Sequence, residues 1–204
     1  MDLKESIMYH IHKTGIYDDI WYIGNNININ ESFKNNFTME SFQFKFCLDF
    51  HSQSNVPFSN VYAHVKDFNN YAKDQVNEWF RDKDFLLEKS NIFISEYGIL
   101  VREMVYEQIR SEYYPELPSR LHCVWLCREN QLELWKNNLS NESKIFKVKV
   151  TGNCYKGKNQ FISLPSDSYN TITEKAHQYW KPDIQEDIDD EYLFNGKLEI
   201  LEQL

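Results

Sequence analysis

The sequence predicts an α+β domain: a mostly antiparallel sheet with helices inserted between its strands. Three observations carry that prediction. Residues 145–150, IFKVKV, alternate in polarity with the two-residue period of a half-buried strand. Residues 58–88 and 101–113 carry apolar side chains three and four apart, the period of an amphipathic helix. The two patterns interleave along 204 residues, a length that suits one core. A single domain over 1–204, with a helical insertion at about 58–90, follows.

Composition narrows the class. A hydrophobic content of 42% with 13 Tyr and 14 Phe is that of a globular chain with a large aromatic core or binding surface. A net charge of −9 excludes the broad basic footprint of a nonspecific nucleic-acid binder. A local groove using Lys147, Lys149, Lys156 and Lys158 stays open beside the alternative that these lysines are the solvated face of an edge strand. The four cysteines, 47, 123, 127 and 154, form no CxxC pair, which disfavours zinc and a disulfide framework and suits reduced thiols in the cytoplasm. The opening MDLKESIMYHIH lacks the features of a signal peptide, and no apolar run has membrane-spanning length, so no membrane partner is expected.

In chain order, residues 7–12 form a strand with Met8, His10 and His12 on one face and Ile7, Tyr9 and Ile11 on the other. Residues 20–29, IWYIGNNINI, have strand composition broken at Gly24, which predicts a bend or short hairpin. Residues 42–48 alternate Phe42, Phe44, Phe46 and Leu48 against polar neighbours, as a strand or as a loop with an aromatic plug. From 58 to 88, Val61, Val65, Phe68, Ala72, Val76 and Trp79 mark one long helix or two in series, capped by Ser59 or Asn60. In the next helix, Val101, Val105, Ile109 and Tyr113 with Met104 form the apolar stripe, while Glu103, Glu107 and Arg110 share the opposite face and can pair. Pro115 and Pro118 end it.

Residues 121–127 then alternate Leu121, Cys123, Trp125 and Cys127 against His122, Val124 and Leu126, a strand buried on both sides. Leu132, Trp135 and Leu139 mark a short helix over 129–138, and 145–150 is a strand with Phe146, Val148 and Val150 inward. A turn at Thr151, Gly152 and Asn153 and a loop at Gly157 lead to a short strand over 160–164. Thr171 with Glu174 makes a capping box for a helix carrying Ile172, Ala176 and Tyr179, which Pro182 stops. The acidic run DIQEDIDDE leads to a last strand over 198–201.

Three groups of residues have chemical potential. His10 and His12 point the same way and suit metal ligation, a catalytic contact or two satisfied imidazoles. A metal needs further ligands, and His51, His64 and the acids near Asp187 lie scattered without a motif, so no metal site is expected. Ser119 and Arg120 enter the buried strand as a hydroxyl and a permanent cation, suited to a phosphate or carboxylate, or to a turn and a structural ion pair. Glu191 closes a cluster with Asp187, Asp189 and Asp190: a solvated run, or a site in which crowding raises the pKa of the least exposed member. Six glycines form neither GxGxxG nor GxxxxGK[ST], which disfavours dinucleotide-fold and P-loop chemistry.

Taken in order, these pieces resemble the ADP-ribosyltransferase superfamily. They are HKT at 12–14, WYIG at 21–24, the E-x-x-x-E-x-x-R helix of Glu103, Glu107 and Arg110, and the PSR strand at 118–120. WLCRENQLELW at 125–135, KVKV at 147–150, AHQYW at 176–180 and EYLFNGKLEIL at 191–201 complete the series. The likeness is to a poorly characterised bacterial branch and spans most of the chain. It implies a split sheet gripping NAD as substrate in a cleft, with ADP-ribose passed from nicotinamide to an acceptor nucleophile. It also implies that His12, or else His10, contacts the ribose of NAD, and that Glu191, or else Glu199, is the late glutamate. Ser119 and Arg120 would sit in the second motif, on the strand supporting the nicotinamide side. A carboxylate there stabilises the positive charge that develops as nicotinamide leaves, while an Arg or His holds diphosphate and ribose. The late glutamate lacks an ExE or QxE context, which turns the expected acceptor from protein arginine toward RNA or DNA. Bacterial members of this superfamily are often toxins or phage-defence effectors, so a cognate antitoxin is a further expected partner. A noncatalytic interaction protein of the same fold is the alternative.

Overall fold

The computed structural model describes residues 1–13, 18–35, 38–39, 42, 47–50, 53–57, 83–138, 143–181 and 187–204. Of the helix expected over 58–88, residues 58–82 with the Ser59 or Asn60 cap lie outside these residues, as do His51 and His64, while 83–88 open the helix Lys83–Tyr113. The elements are β1 (Asp2–Lys13), β2 (Asn26–Ile29), β3 (Cys47–Phe50), β4 (Gln53–Pro57), α1 (Lys83–Tyr113), β5 (Val124–Leu126), α2 (Leu132–Asn138), β6 (Ser143–Gly157), α3 (Tyr169–Tyr179) and β7 (Glu191–Gln203). The fold is α+β, and its five-stranded sheet is antiparallel at every pairing.

β7 is the hub. One edge pairs with β6 from Glu191↔Gly157 to Gln203↔Phe146. The other edge is divided: β5 takes it at Val124↔Phe194 to Leu126↔Tyr192, and β2 takes it at Ile29↔Gly196 to Asn26↔Glu199. β1 covers the far edge of β6. Tyr9 and Cys127 then exchange backbone hydrogen bonds of 3.0 and 2.8 Å, so the end of β5 returns to the free edge of β1 and the sheet curls nearly closed. Gly152 and Gly196 face each other across β6 and β7, and a Cβ on either would collide with the opposite backbone. β3 and β4 form a separate two-stranded ribbon.

Two cores result. Met8, Phe146, Val148, Val150, Val124, Leu126 and Ile200 fill one side of the sheet. Cys123, Tyr155 and Leu193 meet Tyr106 of α1 and Tyr179 and Trp180 at the end of α3 on the other. β5 therefore feeds both, as the two-sided apolar pattern of 121–127 requires.

Several expectations need correction. The inner stripe of α1 is Val105, Tyr106 and Ile109, whereas Val101, Met104 and Tyr113 are 40, 49 and 55% exposed. Tyr106 sets that rotation: its carbonyl accepts from Trp180 Nε1 at 2.9 Å and its hydroxyl donates to the Phe161 carbonyl. β6 runs through 151–157 without a turn, because the Gly152–Gly196 register lets pairing continue, and 159–161 is a 3₁₀ turn rather than a strand. The cap of α3 is Ser168, which accepts from Thr171 N–H at 3.2 Å, three residues before the expected box. The last strand begins at Glu191, seven residues earlier than expected. Of the strand expected over 42–48, Cys47 and Leu48 lie in β3, Phe42 is helical, and 43–46 lie outside the described residues.

Candidate functional site

A cavity of about 420 Å³ opens between β1, β5, the start of β7 and α1. The period-two geometry of β1 turns both His10 and His12 into it. The turn after α1 delivers Arg120, the first residue of β7 delivers Glu191, and α1 itself delivers Arg102 and Glu103. Trp21, Phe33, Trp125 and Trp135 complete aromatic walls.

The charged floor is one connected network. The Arg120 guanidinium, 5% exposed, donates from Nε to Glu103 Oε2 at 2.7 Å and from Nη2 to Glu103 Oε1 at 3.2 Å. Its Nη1 donates to the Tyr179 hydroxyl at 2.9 Å and to Glu191 Oε1. The Tyr179 hydroxyl in turn donates to Glu191 Oε1. Arg102 adds a second cation on Glu103, with Nε 3.0 Å and Nη2 2.9 Å from Oε1. The rings of Tyr179, Tyr106 and Trp125 flank the guanidinium, with centroids 5.1, 5.8 and 5.8 Å from its Cζ.

Burial alone would make Arg120 easier to deprotonate, but Glu103 and Glu191 outweigh it and hold its pKa above the usual arginine value. Burial likewise works to raise the Glu103 carboxyl, and Arg120 with Arg102 reverses the sign and keeps it ionised. The Tyr179 phenol is pushed up, first by burial and then by the Glu191 charge, so it stays a donor. Buried charges of this kind are tolerated because each has a partner.

The histidines are differently placed. His10 Nδ1 lies 2.9 Å from the Trp125 carbonyl, which only accepts, so Nδ1 carries the proton and Nε2 keeps a lone pair. The ring stacks on Trp21 with centroids 4.1 Å apart. Burial pulls its pKa down to about 3 despite that hydrogen bond, with His12 adding to the fall. His12 Nε2 sits 2.6 Å from Asp18 Oδ1.

Of the residues the sequence singled out, His10, His12, Arg120 and Glu191 meet in the cavity. Ser119 does not line it: its hydroxyl donates to Glu107 Oε2 at 2.8 Å and accepts from Leu121 N–H at 3.1 Å, bracing the turn between α1 and β5. Glu199 is also elsewhere, half-exposed and 2.6 Å from Lys149. Arg120 lines the cavity with each of its three nitrogens already donating to a protein partner, Glu191 among them. The lysines do not form an edge-strand face, because β6 lies between β1 and β7. Lys158 is buried against Asp187 and Asp190, at 2.6 and 3.5 Å, and Lys156 also turns toward Asp190. Among the described residues, no three of His, Cys, Asp and Glu gather as a metal-binding group.

Glu103 and Tyr179 were missed as site residues. Glu103 shares helical spacing with Glu107 and Arg110, which do pair at 2.7 Å, and that spacing disguised it as a surface charge. Its one sequence signal is adjacency to the Val105–Tyr106 stripe. Tyr179 reaches the site because Gly157 opposite it has no side chain; a Cβ there would collide with the phenol.

Over residues 8–204 the chain matches the family described as protein of unknown function (DUF2441), and it belongs to that family. A comparison with curated proteins finds no match.

Proposed function

We propose that this DUF2441 protein is an NAD-dependent ADP-ribosyltransferase. What carries the reading is that His10, His12, Arg120 and Glu191, from three separate parts of the chain, line one cavity. A cavity of about 420 Å³ with aromatic walls and a few convergent polar groups is the usual form of a small-molecule site. The donor set fits NAD as substrate at the ribose and ring end: a carboxylate held in place, two imidazoles on one strand face and flat stacking surfaces. NAD supplies the ADP-ribosyl group and nicotinamide as the leaving group. Glu191 stabilises positive charge developing at the ribose carbon through Oε2, which makes no hydrogen bond among the described residues, while Arg120 and Tyr179 fix Oε1. His12, braced by Asp18, contacts the ribose, with His10 as the alternative.

The acceptor is a macromolecule, RNA or DNA in preference to protein arginine, and the protein works in the cytoplasm as a toxin or phage-defence effector with a cognate antitoxin. The apolarity of the described chain agrees only with the coarser part of that placement: no described helix is long and apolar enough to cross a membrane. A second reading, a noncatalytic interaction protein of the same fold, draws on the engagement of Glu191 by both Arg120 and Tyr179. The two are separated by nicotinamide release from NAD, measured for the purified protein and for Glu191→Gln, with NAD binding followed by calorimetry. Release that the substitution abolishes while NAD still binds supports the transferase; absence of NAD binding to the unsubstituted protein supports the interaction protein.

A further inference from the structure

Besides the buried Val105, Tyr106 and Ile109, α1 carries a second apolar stripe. Leu87, Ile94, Tyr97, Val101 and Met104 are 67, 61, 55, 40 and 49% exposed, and they follow one another at intervals of seven, three, four and three residues, the spacing of a heptad seam. Ser90, half-buried, completes the series between Leu87 and Ile94. The positions that flank this seam hold Asn91, Phe93, Gly98 and Leu100, so no charge borders it there. Among the described side chains from 87 to 102 none is buried, and none belongs to either core. A soluble monomer seldom leaves an apolar patch of several hundred Å² open to water.

We infer that this stripe is the interface of a homodimer, in which two copies of α1 pack antiparallel about a two-fold axis. An uncharged heptad seam complements itself, as a two-fold interface requires. In the antiparallel arrangement Leu87 meets Met104 of the second copy, Ser90 meets Val101 and Ile94 meets Tyr97, and symmetry repeats each contact. Tyr97 then packs on a smaller side chain and Ser90 on a larger one, whereas parallel pairing sets Tyr97 on Tyr97 and Ser90 on Ser90. The opposed helix dipoles favour the same direction. The five large residues each expose about 100 Å², so two copies joined along the seam cover about 1,000 Å², the size at which specific interfaces begin. Arg102 and Glu103, which α1 delivers to the cavity, take no part in the contact, so it is independent of the NAD reading.

The test uses the full chain. Sedimentation equilibrium should give twice the mass of one chain, falling toward a single mass on dilution. Tyr97→Glu sets a charge at the centre of the seam in both copies and should weaken the association about a hundredfold or more. Tyr113→Glu alters a residue equally exposed on the same helix but outside the stripe, and it should leave the association unchanged. Circular dichroism checks that both variants are folded. Direction is read by disulfide trapping with Leu87→Cys and Met104→Cys, each also carrying Cys47→Ser because the other three cysteines are buried. Oxidation should link the two variants to one another when they are mixed and link neither to itself. A chain that is monomeric at every concentration, a dimer that survives Tyr97→Glu, or a cysteine variant that links to itself overturns the inference. Where the chain is monomeric, the rate at which Leu87→Cys takes up a soluble maleimide identifies the true occupant: slow uptake means that the chain's own residues cover the stripe, and fast uptake that it is left for a different protein.

Discussion

His10 makes the fold sensitive to mild acid. In the folded protein its pKa is about 3, against 6.5 for an ordinary histidine, because burial disfavours the imidazolium. Between those values the unfolded chain binds a proton that the native state does not, so stability rises with pH across that window. The contribution is fully present above pH 6.5 and is lost progressively as pH falls toward 3. Each pH unit deep in the window is worth about 1.4 kcal/mol. From pH 7 to pH 5, where the unfolded-state histidine takes up most of its proton, the loss comes to about 2 kcal/mol. His10→Asn keeps a donor for the Trp125 carbonyl and cannot titrate. Urea unfolding at pH 7, 6 and 5 should therefore show the original protein losing about 2 kcal/mol more than the variant over that range. Equal losses in the two proteins would mean that His10 accepts its proton in the folded state, and that its Nε2 is not the neutral acceptor inferred above.

Two further substitutions separate the ion network from its surroundings. Arg120→Met leaves Glu103 and Glu191 without their shared cation and should destabilise the protein by about 3–5 kcal/mol in chemical denaturation, with the loss shrinking at pH low enough to protonate the carboxyls. Ser119→Ala removes a turn hydrogen bond outside the cavity, so it should cost only about 1 kcal/mol in the same assay and leave NAD binding by calorimetry unchanged.

Local patterns made much of this molecule legible. The alternation of 145–150 put Phe146, Val148 and Val150 inside, and all three are fully buried. Residues 121–127 read as apolar on both faces, and β5 does stand between two cores. The two-residue period of β1 placed His10 and His12 together, and they line one cavity. Elements fixed by distant partners were not legible. Glycine and asparagine at 151–153 read as a turn, and only the facing Gly196 explains why the strand continues. Ser168 and Thr171 offer two overlapping capping frames, and the side chain that accepts a hydrogen bond decides between them. Glu103 is indistinguishable from its charged helical neighbours until Arg120, 17 residues away, is seen to bind it. Its burial is a tertiary property, set by a guanidinium that the chain brings back from the far side of a turn.

The most direct measurement is to incubate the purified protein with NAD labelled in the ADP-ribose moiety and separate pools of protein, RNA and DNA, following label in each pool together with free nicotinamide. A transferase with Glu191 in its site places label in one pool, releases nicotinamide in equal amount, and does neither when Glu191 is replaced by glutamine. NAD that stays intact in the presence of all three pools, or turnover undiminished in Glu191→Gln, would contradict that assignment.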